Sequence, residues 1–174
     1  MRYKYTERET DDIIRSMTIL VDTREQKNDH ITKYFEKAGI PWKKKALKQG
    51  DYSFFIPANE DLNVPRDLYF DKDIVIERKG SLEELSGNFS KERDRIEKEF
   101  ALAPANKVLL IENASYDDLV NGNYDTNYNN KSFWATLHTL WHRYNVPAFF
   151  MKDRNYSGFF IRGYFAYYLR EVLL

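Results

Sequence analysis

The sequence has no cysteine, which excludes a disulfide scaffold and any thiolate zinc site. Oxygen and imidazole groups are then the only metal ligands left, and oxygen ligands point to magnesium or manganese. Charge of one sign is also lacking: 27 Lys and Arg balance 27 Asp and Glu, so there is no overall basic field of the kind that marks many nucleic-acid binders. No apolar run reaches the length of a membrane span, and the N-terminus has no signal-peptide pattern. The expectation is a soluble intracellular protein, cytoplasmic in a prokaryotic or phage setting and nuclear in a eukaryotic one. A glycine-rich phosphate loop is absent too, which argues against a nucleotide-binding α/β domain.

What is present is a core. Hydrophobic residues make up 43% of the 174 positions and aromatics 16%, ample for one compact domain. Residues 1–17 are polar and read as an arm or short helix, and the domain is expected over 18–174. Ile19–Val21 is a short apolar run ending in Asp22, the pattern of a buried strand with a functional group at its C-terminal end. Asp29 caps a helix carrying Ile31, Tyr34, Phe35 and Ala38, stopped by Gly39 and Pro41. Strands are predicted at Trp42–Leu47, Tyr52–Ile56 and Asp73–Lys79, with a polar loop containing Pro57 and Pro65 before the last. A helix is predicted from about Ser90, a strand at Val108–Ile111 and an exposed loop over Asn121–Asn130. Beyond it lie a helix with Phe133, Trp134, Leu137, Trp141 and Tyr144, a strand at Ala148–Met151 and an aromatic helix over Tyr156–Leu174. Mixed strands and helices in one chain imply an α/β domain with a partly parallel sheet in two or three layers.

The stretch Ile74-Val75-Ile76-Glu77-Arg78-Lys79 carries the strongest chemical signal. Strand side chains alternate, so Val75, Glu77 and Lys79 share one face and Ile74, Ile76 and Arg78 the other. Phosphodiester cleavage uses such a pair: a carboxylate to hold a hard cation, and an ammonium to steady the nucleophile or the developing negative charge. Taken alone, Glu-x-Lys at the charged end of a surface strand is usually a solvated ion pair. Gly50-Asp51-Tyr52 adds a second acid, the glycine permitting a tight entry. Asp22 and Glu25 add two more. Arg24 between them either holds a phosphate oxygen or neutralises its neighbours.

Val-Asp-Thr-Arg-Glu at 21–25, Gly-Asp-Tyr at 50–52 and Ile-Glu-Arg-Lys at 76–79, in that order, resemble the XPF-like nucleases. These are relatives of the xeroderma pigmentosum group F endonuclease, within the PD(D/E)xK superfamily. The resemblance extends through Val108–Glu112 and, more loosely, Ser132–Leu169. It implies a restriction-endonuclease-like core with a central mixed β-sheet flanked by helices. It also implies a metal-dependent DNA endonuclease acting on branched, flap or junction DNA in repair or recombination. Asp51 and Glu77 would be metal ligands for Mg2+ or Mn2+, Lys79 the catalytic lysine, and Asp22 and Glu25 further acids around the ion. Arg24, Arg78 and Arg93 would face DNA phosphate, with Arg93 and Glu97 matching a family helix that carries Arg and Gln. The long stretch between Asp51 and Glu77 resembles the Mus branch, with Pro57–Lys72 as an inserted loop.

Two departures qualify the resemblance. Glu83 stands where the family has Asp, beside a further acid, Glu84, and no tandem helix-hairpin-helix module follows. Structure specificity is therefore not inherited, and a catalytically inactive DNA-binding module is the alternative. His138 and His142, four residues apart, read as ordinary helix surface rather than a metal pair. The surplus rings Phe159, Phe160, Tyr164, Tyr167 and Tyr168 read first as core, then as a homodimer seam or a docking face for a partner protein.

Overall fold

The computed structural model describes residues 4–174. A seven-stranded mixed sheet runs through the centre. Its strands are β1 (Thr18–Val21), β2 (Trp42–Lys44), β3 (Tyr52–Ile56), β4 (Leu68–Tyr69), β5 (Ile74–Lys79), β6 (Asn106–Glu112) and β7 (Ala148–Met151). The order is β2-β1-β3-β5-β6-β7, with β4 paired to β3. β2 lies parallel to β1, β3 antiparallel to both β1 and β5, and β5, β6 and β7 run parallel.

Helices cover both faces, giving three layers. On one side are α1 (Glu7–Ser16), α2 (Asp29–Lys37) and α7 (Ser157–Leu173), over a core that includes Ile19, Val21, Phe54, Ile76, Leu110 and Phe165. On the other are α3 (Leu82–Ser90), α4 (Arg93–Leu102), α5 (Tyr116–Asn121) and α6 (Asn130–Tyr144), over Leu85, Phe100, Leu109, Ile111 and Phe133. The alternation of β6 between the two cores, Val108 and Leu110 against Leu109 and Ile111, follows from its pleat.

Several expected boundaries move, each for a local reason. The segment before Thr18 is a helix, opened by a Thr6–Glu9 capping box. It is part of the domain, because Ile13 and Met17 are buried in the main core. β2 ends at Lys44 rather than Leu47, since the chain leaves the sheet to pack Leu47 against Leu20 and Phe55. α3, unmarked by strong periodicity and carrying Gly87 and Asn88, is held by its Ser81 cap and by the burial of Leu82, Leu85 and Phe89. The loop after α5 was expected to be exposed throughout, but Tyr124 and Tyr128 fold back on Phe133, with ring centroids 5.3 Å away in each case. The inserted stretch after β3 forms a short 3-10 turn and the two residues of β4, and is pinned by the stacked pairs Phe54–Phe70 and Phe55–Tyr69.

The part of the fold that matters most is the entry into β3. Gly50 has φ +76°, and a Cβ there would meet Val75 Cβ at 2.6 Å. The Asp51 N–H donates to the Ile76 carbonyl and its own carbonyl accepts from the Asp22 N–H, both at 2.8 Å. Asp51 is thereby strapped between β1 and β5. Gly50→Ala should cost at least about 2 kcal/mol in urea denaturation, from left-handed backbone strain plus overpacking. Removing the neighbour's Cβ in Gly50→Ala/Val75→Gly should recover the overpacking part as a coupling energy in a double-mutant cycle.

Candidate active site

The pleat of β5 divides Ile74–Lys79 between two environments. Glu77 and Lys79 open onto a cleft of about 440 Å³, together with Asp22, Arg24, Lys48, Asp51, Val75 and, from α4, Arg95, Lys98 and Glu99. Asp51, Glu77 and Lys79 also line a second depression, which adds Glu25, Lys27, Glu84 and Arg154. The three residues thus form the ridge between two concave surfaces. Lys79 Nζ lies 3.4 Å from Glu77 Oε1 and is almost buried. One oxygen of Asp51 accepts from the Arg78 N–H at 2.7 Å.

Electrostatics concentrates strain on these two acids. Burial pushes the Asp51 carboxyl well above the ordinary aspartate range, and the negative charges of Glu77 and Glu25 add to it. Burial also raises Glu77, with Lys79 drawing it partly back. For Lys79, burial alone would lower the ammonium, but Glu77, Glu84 and Asp51 outweigh it and the net shift is upward. The lysine is therefore a fixed cation at neutral pH, suited to stabilising negative charge and donating hydrogen bonds.

The four acids do not converge into a cage. Among the described residues, no group of three or more His, Asp and Glu side chains is placed to hold a metal ion. Asp22 lines the cleft but is engaged: one oxygen accepts from the Leu47 N–H at 2.8 Å and the other from Arg24 Nε at 2.8 Å. Glu25 is engaged too, both oxygens accepting from the Arg78 guanidinium at 2.7 and 3.2 Å. Asp51 and Glu77 remain as the acids whose charge is only partly compensated. That donor set fits Mg2+ or Mn2+, which bind through one or two carboxylates and keep waters and phosphate oxygens as their other ligands.

Arg78, expected to face phosphate, points the other way. Its side chain is 7% exposed and bound to Glu25, to Glu112 Oε1 at 2.5 Å and to the Gln26 carbonyl at 2.7 Å. Glu112 is itself buried, with His30 Nε2 2.6 Å away and the Ser157 hydroxyl donating to it. This places the carboxylate at the starts of α2 and α7, where helix dipoles favour negative charge. The bland sequence signal for it was present: Glu112 ends an apolar strand run just as Asp22 does.

Arg93 and Glu97 are also displaced from their expected place. They pair with each other at 2.9 Å and face α6, Arg93 meeting Thr136, and Glu97 meeting Arg143 and Tyr144. The charged residues α4 gives to the cleft are Arg95, Lys98 and Glu99, which no motif in the sequence singles out. Glu83 accepts from the Asp125 N–H at 2.9 Å and tethers the loop after α5, whereas its neighbour Glu84 accepts from Gly80 N–H and acts on Lys79. Arg24 stays on the rim, its side chain 73% exposed. His138 is packed with Trp134 and Trp141 and lies 3.0 Å from the Tyr116 hydroxyl.

A three-layer α/β domain with acids and a lysine at the splayed junction of β3 and β5 is a restriction-endonuclease-like fold. The ERCC4 domain family model matches residues 21–163, and the chain belongs to that family, as an XPF-like nuclease domain. Among solved structures, XPF from Aeropyrum pernix is similar at a TM-score of 0.59 and 17% identity, over 84% of this chain and 59% of that one. The same protein in complex with DNA is similar at 0.63 and 17% identity, over 88% and 66%. The chain therefore spans less than two thirds of those relatives. No curated protein sequence matches it significantly.

Two outcomes follow from this geometry. Glu112→Ala leaves the buried Arg78 charge short of a partner, and chemical denaturation should show a loss of about 3–5 kcal/mol. Asp51→Asn should act in the opposite direction. A carboxylate raised on folding contributes stability that is present below its unfolded value of 3.8 and lost as pH rises through the folded value. Without divalent ions at pH 7–8 the amide should thus melt higher by about 2–4 °C, the shift that ~1 kcal/mol produces in a domain of this size. The melting temperature should also respond less to added Mn2+ than that of the parent chain.

Proposed function

We propose that this domain is a DNA endonuclease that hydrolyses phosphodiester bonds with Mg2+ or Mn2+, acting on branched, flap or junction DNA. The observation that carries the reading is the trio of the half-buried Asp51 and Glu77 and the buried Lys79 on the ridge between two clefts, in a chain of the ERCC4 family. The solved relative with DNA supports nucleic acid as the substrate class.

Asp51 and Glu77 would hold the cation. A bound Mg2+ or Mn2+ supplies polarisation of the phosphate and a water of lowered pKa. Lys79, kept protonated by its acidic neighbours, orients the attacking water and stabilises the negative charge that builds on the phosphoryl oxygens. Water oxygen bonds to phosphorus and the P–O3′ bond breaks, leaving a 5′-phosphate and a 3′-hydroxyl. The proton released by the water and the one taken up by the leaving oxygen exchange with solvent. Asp22 and Glu25 position this centre: Asp22 by fixing Arg24 and the 47 backbone, Glu25 by holding Arg78, whose N–H binds Asp51. The exposed Phe159 and Tyr167 of α7 support a homodimer seam or a docking face for a partner that adds grip on the DNA.

The test is cleavage of flap, fork, junction, duplex and single-stranded DNA with Mg2+, Mn2+ or EDTA. Cutting should require the ion, and Lys79→Ala should slow it by about 10²–10³-fold, the cost of removing one preorganised charge-stabilising donor. Equal trace cleavage by both proteins would remove the enzymatic reading. Ion-independent binding without cutting would make the domain a silent DNA-binding module instead.

A further inference from the structure

The first cleft contains a lysine that the catalytic reading does not use. Lys107 lies on β6 directly opposite Val75 of β5. In parallel register its side chain falls on the same sheet face as Glu77 and Lys79, one side-chain row away from Glu77, about 7 Å along the strands. Lys107 is 8% exposed and lines the cleft. Among the described residues its side chain has one hydrogen bond, Nζ donating to the Pro104 carbonyl at 2.9 Å, and no carboxylate forms an ion pair with it.

An unneutralised ammonium in that position is costly. Burial pushes it below the ordinary lysine value, with no acid near enough to compensate, in contrast to Lys79. Around the same cleft stand Lys48 and Lys98, while Arg24 is paired with Asp22, and Arg95 with Glu92 and, at 3.8 Å, with Glu99. Lys107 and the acid Glu77 thus stand one side-chain row apart on neighbouring strands of the cleft floor. Phosphate groups recur along a nucleic-acid strand at an interval comparable to the separation of the two.

We infer that Lys107, with Lys98 and Lys48 lining the same cleft, is a phosphate subsite that holds the phosphate next to the one being cut, so that the DNA strand runs along the floor of the cleft beneath α4. The inference rests on the endonuclease reading for its substrate and goes further by fixing the path of the strand and naming the side chains that grip it. Lys107 is a binding residue, held at a cost to stability that its anion offsets.

The experiment measures binding of a fluorescein-labelled DNA duplex with a single-stranded arm by anisotropy in EDTA over a range of salt, for the parent chain, Lys107→Met, Lys107→Arg, Lys98→Met and Lys37→Met. Thermal melting is recorded for each. Lys107→Met should weaken binding roughly tenfold at low salt. It should reduce the salt slope by about 0.7–0.9, the signature of one lost phosphate contact. It should melt no lower than the parent, because a buried unpaired charge has been removed. Lys107→Arg should retain most of the affinity, Lys98→Met should show a smaller loss with a lower slope, and Lys37→Met, on the opposite layer, should change little. Parent affinity and slope in Lys107→Met would overturn the proposal and reduce the lysine to a prop for the end of α4. So would a loss matched by Lys37→Met. If Lys107→Met fails to fold, Lys98→Met decides alone: an unchanged slope there also overturns it. Mg2+-dependent cutting by the parent chain is assayed in parallel. If the parent binds but does not cut while Lys107→Met loses the contact, the endonuclease reading falls and the subsite stands. If the parent cuts and Lys107→Met binds as tightly as it does, the reverse holds.

Discussion

Arg78 carries two obligations at once. Through its backbone it donates to Asp51, and through its side chain it binds Glu25, Glu112 and the Gln26 carbonyl. Strand alternation makes both possible, because the residues on either side, Glu77 and Lys79, must then face the opposite layer. A buried guanidinium satisfied by two carboxylates and a carbonyl cannot shift without stranding a charge. The strand that supplies the active groups is thus locked in register from behind. Glu112 joins that lock to the first turns of α2 and α7 through His30 and Ser157, so two helices of the rear layer contribute to the position of the front one.

The neutral formal charge of the chain conceals a local imbalance. Asp51 and Glu77 sit together on the ridge of β3 and β5, and among the described residues no carboxylate pairs with Lys107 in the same cleft, while Arg24, Arg93 and Arg95 are paired with Asp22, with Glu97, and with Glu92 and Glu99. The same inventory of residues spread evenly would have no affinity for a polyanion and no hold on a cation. Placed as it is, the cleft sets two mutually repelling acids beside a lysine that, among the described residues, no carboxylate neutralises. Sums over a sequence are blind to this, since opposite charges cancel whether they are adjacent or on different walls of a groove.

The fold was largely legible because its strands are short apolar runs with clear breakers. Ala148–Met151 and Tyr52–Ile56 were placed to the residue, and Asp22, Asp51, Glu77 and Lys79 were read as sharing one region from motif order and strand pleat. What sequence could not supply was the direction of side chains whose partners are distant. Arg78 looks identical, in a motif, whether it binds phosphate or Glu112. Arg93 lies close to the apolar face of α4, yet its partner is Glu97 one turn along its own helix, while Arg95 and Lys98 reach the cleft. Lys107 is one more charge at a strand start until β6 is set beside β5. α3 and α5 escaped notice because capping and burial, not periodicity, hold them.

The buried side chains of α1 separate two notions of where this domain starts. The family match opens at Val21, within the first strand, whereas Ile13 and Met17 fill the main core from upstream of it. Inheritance and folding have drawn their borders in different places. A chain trimmed to the recognisable motifs would keep every acid and the lysine, yet lack the plug that closes the rear layer over α7, and would meet its substrate with a hole where its scaffold should be solid.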